Sequence, residues 1–231
     1  MNKKTVAIIV AGGTGNRMGK DIPKQFIKLN DKEIILYTLE TFAKCEFIDE
    51  IVVVCHKDYI DFCKNLFLKV KKDVFIVEGG NSRQQSVVNG LSAIKNCDYV
   101  LVHDAVRCLV KVSDIKNLYS ELIANGSCTL AVRAKDTVMI SDDDNMVTNT
   151  PSRSYVWQVQ TPQAFEFDEL LSAHIYARDT SFEATDDCSV MEHYGKKIKL
   201  VEGSYTNIKI TTPSDLEIAK VFMKGSELKS E

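Results

Sequence analysis

A glycine-rich loop directly after a short apolar run constrains the fold more than any other feature of this chain. The run Val6–Val10 is rich in β-branched residues, and the loop Ala11–Gly19 follows it at once. This pattern is typical of a buried strand that leads into a nucleotide-phosphate loop. Glycines let backbone N–H groups approach phosphate oxygens closely, and Arg17 and Lys24 add positive charge nearby.

The spacing of this loop differs from both common phosphate-binding patterns. A Walker loop has a lysine between glycine and serine or threonine, whereas Lys24 lies between Pro23 and Gln25. The segment Gly13–Gly19 misses the dinucleotide pattern G-x-G-x-x-G by one residue. The plain structural alternative is a glycine-rich turn with two solvated cations. A cation within the loop favours phosphate chemistry over the holding of a dinucleotide.

The composition indicates a cytoplasmic globular protein. The chain has 231 residues, of which 45% are hydrophobic and 26% charged, enough for one large domain with a real core. The net charge of −3 excludes general attraction to nucleic acid or an anionic membrane, so local cations must hold any anionic ligand. The seven cysteines form no C-x-x-C pair, which favours reduced thiols. The apolar run Val6–Ala11 is too short for a signal peptide or a membrane span.

Strand-like and helix-like segments alternate through the first 132 residues. The predicted strands are 6–10, 51–55, 74–77, 99–103 and 127–132, and the predicted helices are 33–43, 57–69, 83–94 and 113–124. Uninterrupted apolar strands between amphipathic helices predict an α/β fold, a Rossmann-like, mostly parallel sheet with helices on both faces. Polar clusters follow three of the strands, so we expect them to meet at the carboxyl edge of the sheet.

The alternation breaks at residues 135–157, where polar and apolar residues alternate around the turn Ser141–Asn145. This pattern predicts a β-hairpin that projects as an arm. An isolated two-stranded ribbon is marginally stable, so a second subunit is the natural surface for it to pack on. Helices at 168–177 and 186–194, a strand at 197–201 and a final helix capped by Thr212 complete a single domain over 1–231.

The polar clusters each have an ordinary structural interpretation as well. Asn81 or Ser82 can cap the next helix. Asp104 can pair with Arg107 or cap a later helix, and its alternative role is to hold a divalent metal or a substrate hydroxyl. His103 is expected to be a packed histidine at a strand end rather than a base.

Two cations and an acidic pair lie later in the chain. Lys209 lies between two isoleucines of a predicted apolar strand, so its side chain would point to the opposite face, where a lysine is usually solvated. Arg153 lies in the arm, where it can form an ordinary surface ion pair. Thr185–Asp187 predicts a helix N-cap with acidic residues in the first turn. Together with Arg17 and Lys24, these cations favour nucleotidyl or phosphoryl transfer, in which catalysis is chiefly positioning and charge neutralisation. A nucleotide-binding module without chemistry is the alternative from another class.

Taken together, these motifs resemble the 2-C-methyl-D-erythritol 4-phosphate cytidylyltransferase family. The resemblance runs essentially end to end and rests on segments 11–19, 23–25, 79–87, 103–107, 136–137, 157–163, 185–187 and 201–209. Each motif alone is weak, but their shared order is specific. The resemblance implies a fold of the nucleotidyltransferase type and transfer of CMP from CTP to the methylerythritol phosphate, with Mg²⁺ and release of pyrophosphate. It also implies a homodimer formed through the arm.

The resemblance further implies roles for individual residues. The catalytic residues would be Arg17, Lys24 and Lys209. The CTP-binding residues would be Ala11, Gly12, Gly13, Thr14, Gly15, Gly80, Asn81, Ser86 and Ala105. The residues that bind the polyol phosphate would be Asp104, Arg107, Thr137, Arg153 and Lys209, with Arg153 contributed by the partner's arm. Asp104 is the one candidate metal ligand.

Two positions depart from the family pattern. Asn81 replaces the usual aspartate, and Cys108 stands where proline normally follows the arginine of the H-D-A-x-R motif. The related ribitol-5-phosphate cytidylyltransferases share the fold, the arm and the cations. Ile22–Phe26 and Val106 favour that family. Segments 84–91, 157–160 and 185–187 favour the methylerythritol phosphate family.

Overall fold

The structure, a computed structural model, describes residues 3–13 and 22–227. The strands are β1 (Thr5–Ala11), β2 (Lys28–Leu29), β3 (Lys32–Glu33), β4 (Glu50–Cys55), β5 (Val74–Glu78), β6 (Tyr99–Asp104), β7 (Ser127–Arg133), β8 (Ile140–Ser141), β9 (Val147–Asn149), β10 (Trp157–Glu166) and β11 (Lys199–Glu202). The helices are α1 (Ile34–Ala43), α2 (Ile60–Phe67), α3 (Arg83–Ala93), α4 (Val112–Asn125), α5 (Phe167–Asp179), α6 (Asp187–His193) and α7 (Pro213–Glu227).

Seven strands form the central sheet in the order β11-β7-β10-β6-β1-β4-β5. Six of them run in the same direction, and β10 runs antiparallel to both of its neighbours. Side chains of β1 alternate between the two faces, with Ala7 and Ile9 packed beside α1, α2 and α4 and with Val6 and Ile8 beside α3, α5 and α6. The prediction of a mostly parallel sheet covered on both faces is therefore confirmed.

The structure adds a central strand that the sequence pattern does not predict. Strand β10 follows the arm and carries the polar residues Gln160, Thr161 and Gln163, all of which are buried. Hydrogen bonds satisfy these side chains: the Gln160 Oε1 accepts from Asn207 Nδ2 at 3.2 Å, and Gln163 Nε2 donates to Asp186 at 2.7 Å. Polar residues can occupy a buried strand when partners of this kind are present.

Several predicted element boundaries shift in the structure. The predicted helix at 57–69 divides into a 3₁₀ turn, Lys57–Tyr59, followed by α2. The strand predicted around Lys209 was wrong, since residues 207–210 lie outside any strand or helix. Ile210 is fully buried against α7, and its N–H donates to the Val106 carbonyl at 3.1 Å. This packing holds the Lys209 segment beside the end of β6 without a strand ladder.

The predicted arm is present as the exposed hairpin of β8 and β9. The Asp142 carboxylate accepts from the N–H groups of Asp144 and Met146, which forms the turn. At the base of the arm, the Arg133 guanidinium lies 4.4 Å from the centre of the Trp157 ring. No helix within residues 3–13 and 22–227 is long and apolar enough to cross a membrane.

Candidate active site

A cavity of about 530 Å³ opens where β1, β4, β5 and β6 end. Its lining residues include most of the described candidates from the sequence: Ala11, Gly12, Gly13, Lys24, Gly80, Asn81, Ser86, Asp104, Ala105 and Lys209. Val10, Gln25, His56, Ser82, Arg83 and Val106 complete the lining. The expected meeting of three polar clusters at the carboxyl edge of the sheet is thus confirmed.

The described part of the glycine-rich loop is held by Gln25. This side chain is buried, and its Nε2 donates to the carbonyl oxygens of Ala11 at 2.5 Å and Gly13 at 3.1 Å. With both carbonyls satisfied by Gln25, the backbone of residues 11–13 is fixed at the cavity wall. The predicted site residues Thr14, Gly15 and Arg17 lie outside the described part of the chain.

The N-terminus of α3 forms another wall of the cavity. Ser82 caps the helix as predicted, with its Oγ accepting from the Gln85 N–H at 3.0 Å. Ser86 Oγ donates to the Ser82 carbonyl at 2.8 Å and accepts from the Gly80 N–H at 3.1 Å. A Cβ at Gly80 would lie 2.2 Å from Gln85 Cγ, so only glycine fits there without a rearrangement. This wall presents Asn81, which is exposed, to the cavity.

Asp104 is the centre of charge in the site. Its carboxylate receives Lys209 Nζ at 2.9 Å and Arg83 Nε at 3.4 Å, and Arg107 Nε lies 3.8 Å away. Burial alone would raise the pKa of this carboxyl, but the nearby Arg83 and Lys209 hold the pKa well below its usual range. The predicted pairing with Arg107 exists, but it is the longest of the three contacts. Asp104 is therefore ionised and positions cations beside the cavity.

Arg83 is a lining residue to which the sequence analysis gave no role. Its Nη1 donates to Asp187 Oδ2 at 2.8 Å, while its Nε faces Asp104. The predicted cap at residues 185–187 is formed by Asp186, whose Oδ1 accepts from the Ser189 N–H at 3.0 Å. Asp187 is fully buried rather than solvated in the first helical turn. Asp187 lies 104 residues from Arg83 along the chain, so no local pattern signals this pairing.

His103 is the packed strand-end histidine that the sequence predicts. It is fully buried, its Nδ1 accepts from Thr161 Oγ1 at 3.0 Å, and its Nε2 donates to the Arg107 carbonyl at 3.3 Å. Burial lowers the pKa of His103 to about 3, so the ring is neutral at physiological pH. It has the environment of a structural side chain rather than a general base.

Three candidates do not line the cavity of their own chain. Arg107 lies behind Asp104 and donates from Nη1 to the Asn207 carbonyl at 2.9 Å. Thr137 and Arg153 are exposed on the arm, and the Arg153 Nη1 donates to the Lys135 carbonyl at 2.8 Å. A single chain therefore brings together the loop, α3, Asp104 and Lys209, but not the arm residues.

The donor set at the cavity is poor in metal ligands. Asp104 is the one carboxylate among the described lining residues, and the described chain contains no group of three acidic, histidine or cysteine side chains suited to a metal. Because cations already occupy both oxygens of Asp104, it can offer at most a single ligand. The described residues do not form a metal cage of their own.

A family model, sequence relatives and solved structures all match this chain to the same family of proteins. The model of the 2-C-methyl-D-erythritol 4-phosphate cytidylyltransferase family matches residues 5–225. A protein of that name from Lachnospira eligens is 42% identical, over 95% of this chain and 99% of the relative. The crystal structure of 4-diphosphocytidyl-2C-methyl-D-erythritol synthase from Anaerococcus prevotii has a TM-score of 0.88 at 33% identity, covering 97% and 100% of the two chains. The Francisella tularensis cytidylyltransferase structure has a TM-score of 0.80 at 36% identity, covering 94% and 98%.

Proposed function

The chain belongs to the 2-C-methyl-D-erythritol 4-phosphate cytidylyltransferase family, and we propose that its cavity transfers CMP from CTP to 2-C-methyl-D-erythritol 4-phosphate. The products are 4-diphosphocytidyl-2-C-methyl-D-erythritol and pyrophosphate, a step of non-mevalonate isoprenoid biosynthesis. One observation supports this proposal most directly: three cationic side chains, those of Lys24, Lys209 and Arg83, line the cavity. The one carboxylate among its described lining residues, Asp104, is paired with two of them, Arg83 and Lys209.

In the proposed reaction, an oxygen of the acceptor phosphate attacks the α-phosphorus of CTP. A new P–O bond forms, the bond from the α-phosphorus to the bridging oxygen breaks, and its electron pair leaves with pyrophosphate. The attacking phosphate is already ionised near neutral pH, so no general base is needed, in keeping with a buried neutral His103. The protein's contribution is to position the two substrates and to neutralise the charge that develops.

We assign the nucleotide to the glycine loop and α3. Backbone N–H groups of Ala11–Gly13 would bind the triphosphate, with Arg17 and Lys24 stabilising the charged transition state. Gly80, Asn81, Ser86 and Ala105 would contact cytosine and ribose. The fixed Gly80–Ser86 hydrogen bond supports this role, because a preorganised wall reads a base at a low entropy cost.

The acceptor is assigned to the other end of the cavity. Asp104 would bind the polyol, and Arg107, expected to bind it too, would instead support Asp104 from 3.8 Å behind the cavity wall. Lys209, which Asp104 orients at 2.9 Å, would hold the acceptor phosphate. Arg153 and Thr137 would reach the same phosphate from the arm of a second subunit. This arrangement accounts for an arm whose candidate residues do not line the described cavity of their own chain.

A homodimer formed through the arm is part of the proposal. Apolar side chains on and beside the hairpin are exposed: Met139 by 61%, Met146 by 66%, Val147 by 56% and Tyr155 by 85%. Exposed apolar side chains concentrated on one projecting ribbon favour an interface there. The same contact would bring Arg153 to the partner's acceptor site, so the site would be completed across the dimer.

Mg²⁺ would enter with the nucleotide. Since the described residues provide only Asp104 as a carboxylate ligand at the cavity, the phosphates of CTP are the main ligands that we expect. The metal would neutralise the triphosphate and favour departure of pyrophosphate.

A cytoplasmic location is proposed from the seven scattered cysteines of the sequence.

The test is product identification. The purified protein with CTP, Mg²⁺ and methylerythritol phosphate should yield the CDP-alcohol and pyrophosphate in equal amounts by mass spectrometry and a coupled pyrophosphate assay. Calorimetry with CTP alone measures nucleotide binding separately from catalysis. CTP binding without pyrophosphate release from any polyol phosphate would instead identify a nucleotide-binding module.

A further inference from the structure

A second layer of charge lies behind the cavity wall, beyond Arg83. The Asp187 carboxylate is completely buried and makes two charged or polar contacts, one with each oxygen. Its Oδ2 receives Arg83 Nη1 at 2.8 Å, and its Oδ1 receives His174 Nε2 at 3.1 Å. The N–H of Asp187 donates to Gln163 Oε1 at 3.0 Å, so the backbone of this residue is fixed as well.

His174 is itself buried on α5 and holds Asp187 through the carboxylate oxygen that Arg83 does not contact. Its Nδ1 has no hydrogen-bond partner among the described residues. Since a carboxylate oxygen accepts, the ring donates from Nε2 to Asp187 Oδ1. Thus the Asp187 carboxylate cannot turn away from Arg83 without losing its other partner.

Arg83 joins this layer to the reaction site. Its guanidinium contacts Asp187 through Nη1 and Asp104 through Nε, and its side chain lines the cavity. The planar guanidinium has a fixed arrangement of donors, so anchoring one nitrogen sets the direction of the others. Asp104 in turn shares its charge between Arg83 and Lys209. The position of Arg83 therefore decides how much of the Asp104 carboxylate remains for Lys209.

We propose that Asp187, held by His174, is a positioning residue that fixes Arg83 and, through it, the Asp104–Lys209 pair at the acceptor end of the cavity. Asp187 is not among the lining residues and acts only through Arg83. Without its charge, Arg83 would turn fully toward Asp104, and Lys209 would lose its orienting partner. The inference rests on the proposed CMP transfer, since its readout is the rate of that reaction.

The test begins with Asp187→Asn, which keeps the shape and removes the charge. We expect kcat for pyrophosphate release to fall at least tenfold per folded enzyme, with KM for CTP changed by less than threefold. Asp179→Asn is the matched control, because Asp179 is an exposed carboxylate that also pairs with an arginine, Arg178 at 2.9 Å, away from Arg83. Its kcat should stay within twofold of the wild type. A kcat for Asp187→Asn within twofold of the wild type would overturn the proposal.

A double-mutant cycle separates positioning from simple loss of structure. Because Asp187 acts through Arg83, Asp187→Asn should change kcat by less than twofold in the Arg83→Met background. An equal loss in both backgrounds would contradict the proposal. If Asp187→Asn does not fold, substitutions at His174 test the proposal instead. His174→Leu should lower kcat at least threefold. His174→Gln, whose amide can still donate to Asp187, should keep kcat near the wild-type value. Equal rates for these two variants would overturn the proposal, whereas an inactive wild type would instead count against CMP transfer itself.

Discussion

Replacement of Asp104 by asparagine should destabilise the folded protein strongly, because its carboxylate is shared by three cations. Lys209 and Arg83 lie within 2.9 and 3.4 Å of it, and Arg107 lies at 3.8 Å. Removing one partner from a buried ion pair costs about 3–5 kcal/mol. Lys209 is 42% exposed and can turn to water, so we expect the lower value, about 3 kcal/mol. For a chain of this size, that loss lowers Tm by about 6–12 °C.

Urea unfolding at pH 7 measures this loss, with Asp61→Asn as the control. Asp61 is an exposed carboxylate that also pairs with a lysine, at 2.8 Å, and its replacement should leave the unfolding midpoint unchanged. Pyrophosphate should raise Tm of the Asp104→Asn variant more than that of the wild type, since the uncovered cations attract anions. A loss below about 1 kcal/mol for Asp104→Asn would refute the view that Asp104 organises the cations.

The same substitution has a pH signature. Cations hold the pKa of Asp104 below its unfolded value of 3.8, so the carboxylate stabilises the fold above that pH. Its contribution is lost as the pH falls through the folded pKa. The difference in unfolding free energy between the wild type and Asp104→Asn should therefore be constant from pH 7 to 5 and shrink below pH 3.8. A difference that grows on acidification would contradict the assignment.

Four further substitutions test the site. Arg17→Ala or Lys24→Ala should lower kcat about a hundredfold or more, because each removes a charge that stabilises the transition state. The control Lys28→Ala, at an exposed neighbouring lysine, should leave kcat unchanged. Near-normal turnover in both the Arg17 and the Lys24 variants would exclude these roles. Arg153→Ala should raise KM for the polyol phosphate and leave CTP affinity unchanged by calorimetry, while an equal loss of CTP affinity would make the arm purely structural. Gln25→Leu removes the hydrogen bonds to the Ala11 and Gly13 carbonyls and should lower the unfolding free energy by about 1–3 kcal/mol. It should also raise KM for CTP. An unchanged KM would show that Gln25 does not order the CTP-binding loop.

Much of the sheet could be predicted because its strands are buried on both faces. Such strands appear in the sequence as continuous β-branched runs, as in Val6–Val10 and Ile51–Cys55, whose side chains are almost all buried. Capping signals were equally informative: the Thr212 hydroxyl accepts from the Asp215 N–H at 3.3 Å, as the sequence predicts. Local rules succeed where local contacts decide the structure.

Strand β10 and the Asp187 pairing could not be predicted for the same physical reason. Both place polar side chains in the interior, where only distant partners make them stable. Thr161 needs His103 at 3.0 Å, and Asp187 needs Arg83, which is 104 residues earlier. In a single sequence, Asp187 is indistinguishable from an ordinary acidic residue in a first helical turn. Contacts across the sheet, rather than local pattern, give these residues their roles.

The choice of acceptor tests the account most directly. The purified protein should be given CTP and Mg²⁺ with methylerythritol phosphate or ribitol 5-phosphate in parallel reactions, and kcat/KM for each acceptor measured from pyrophosphate release. We expect methylerythritol phosphate to be preferred at least tenfold. A preference for ribitol phosphate, or no release with either acceptor, would contradict the proposed function.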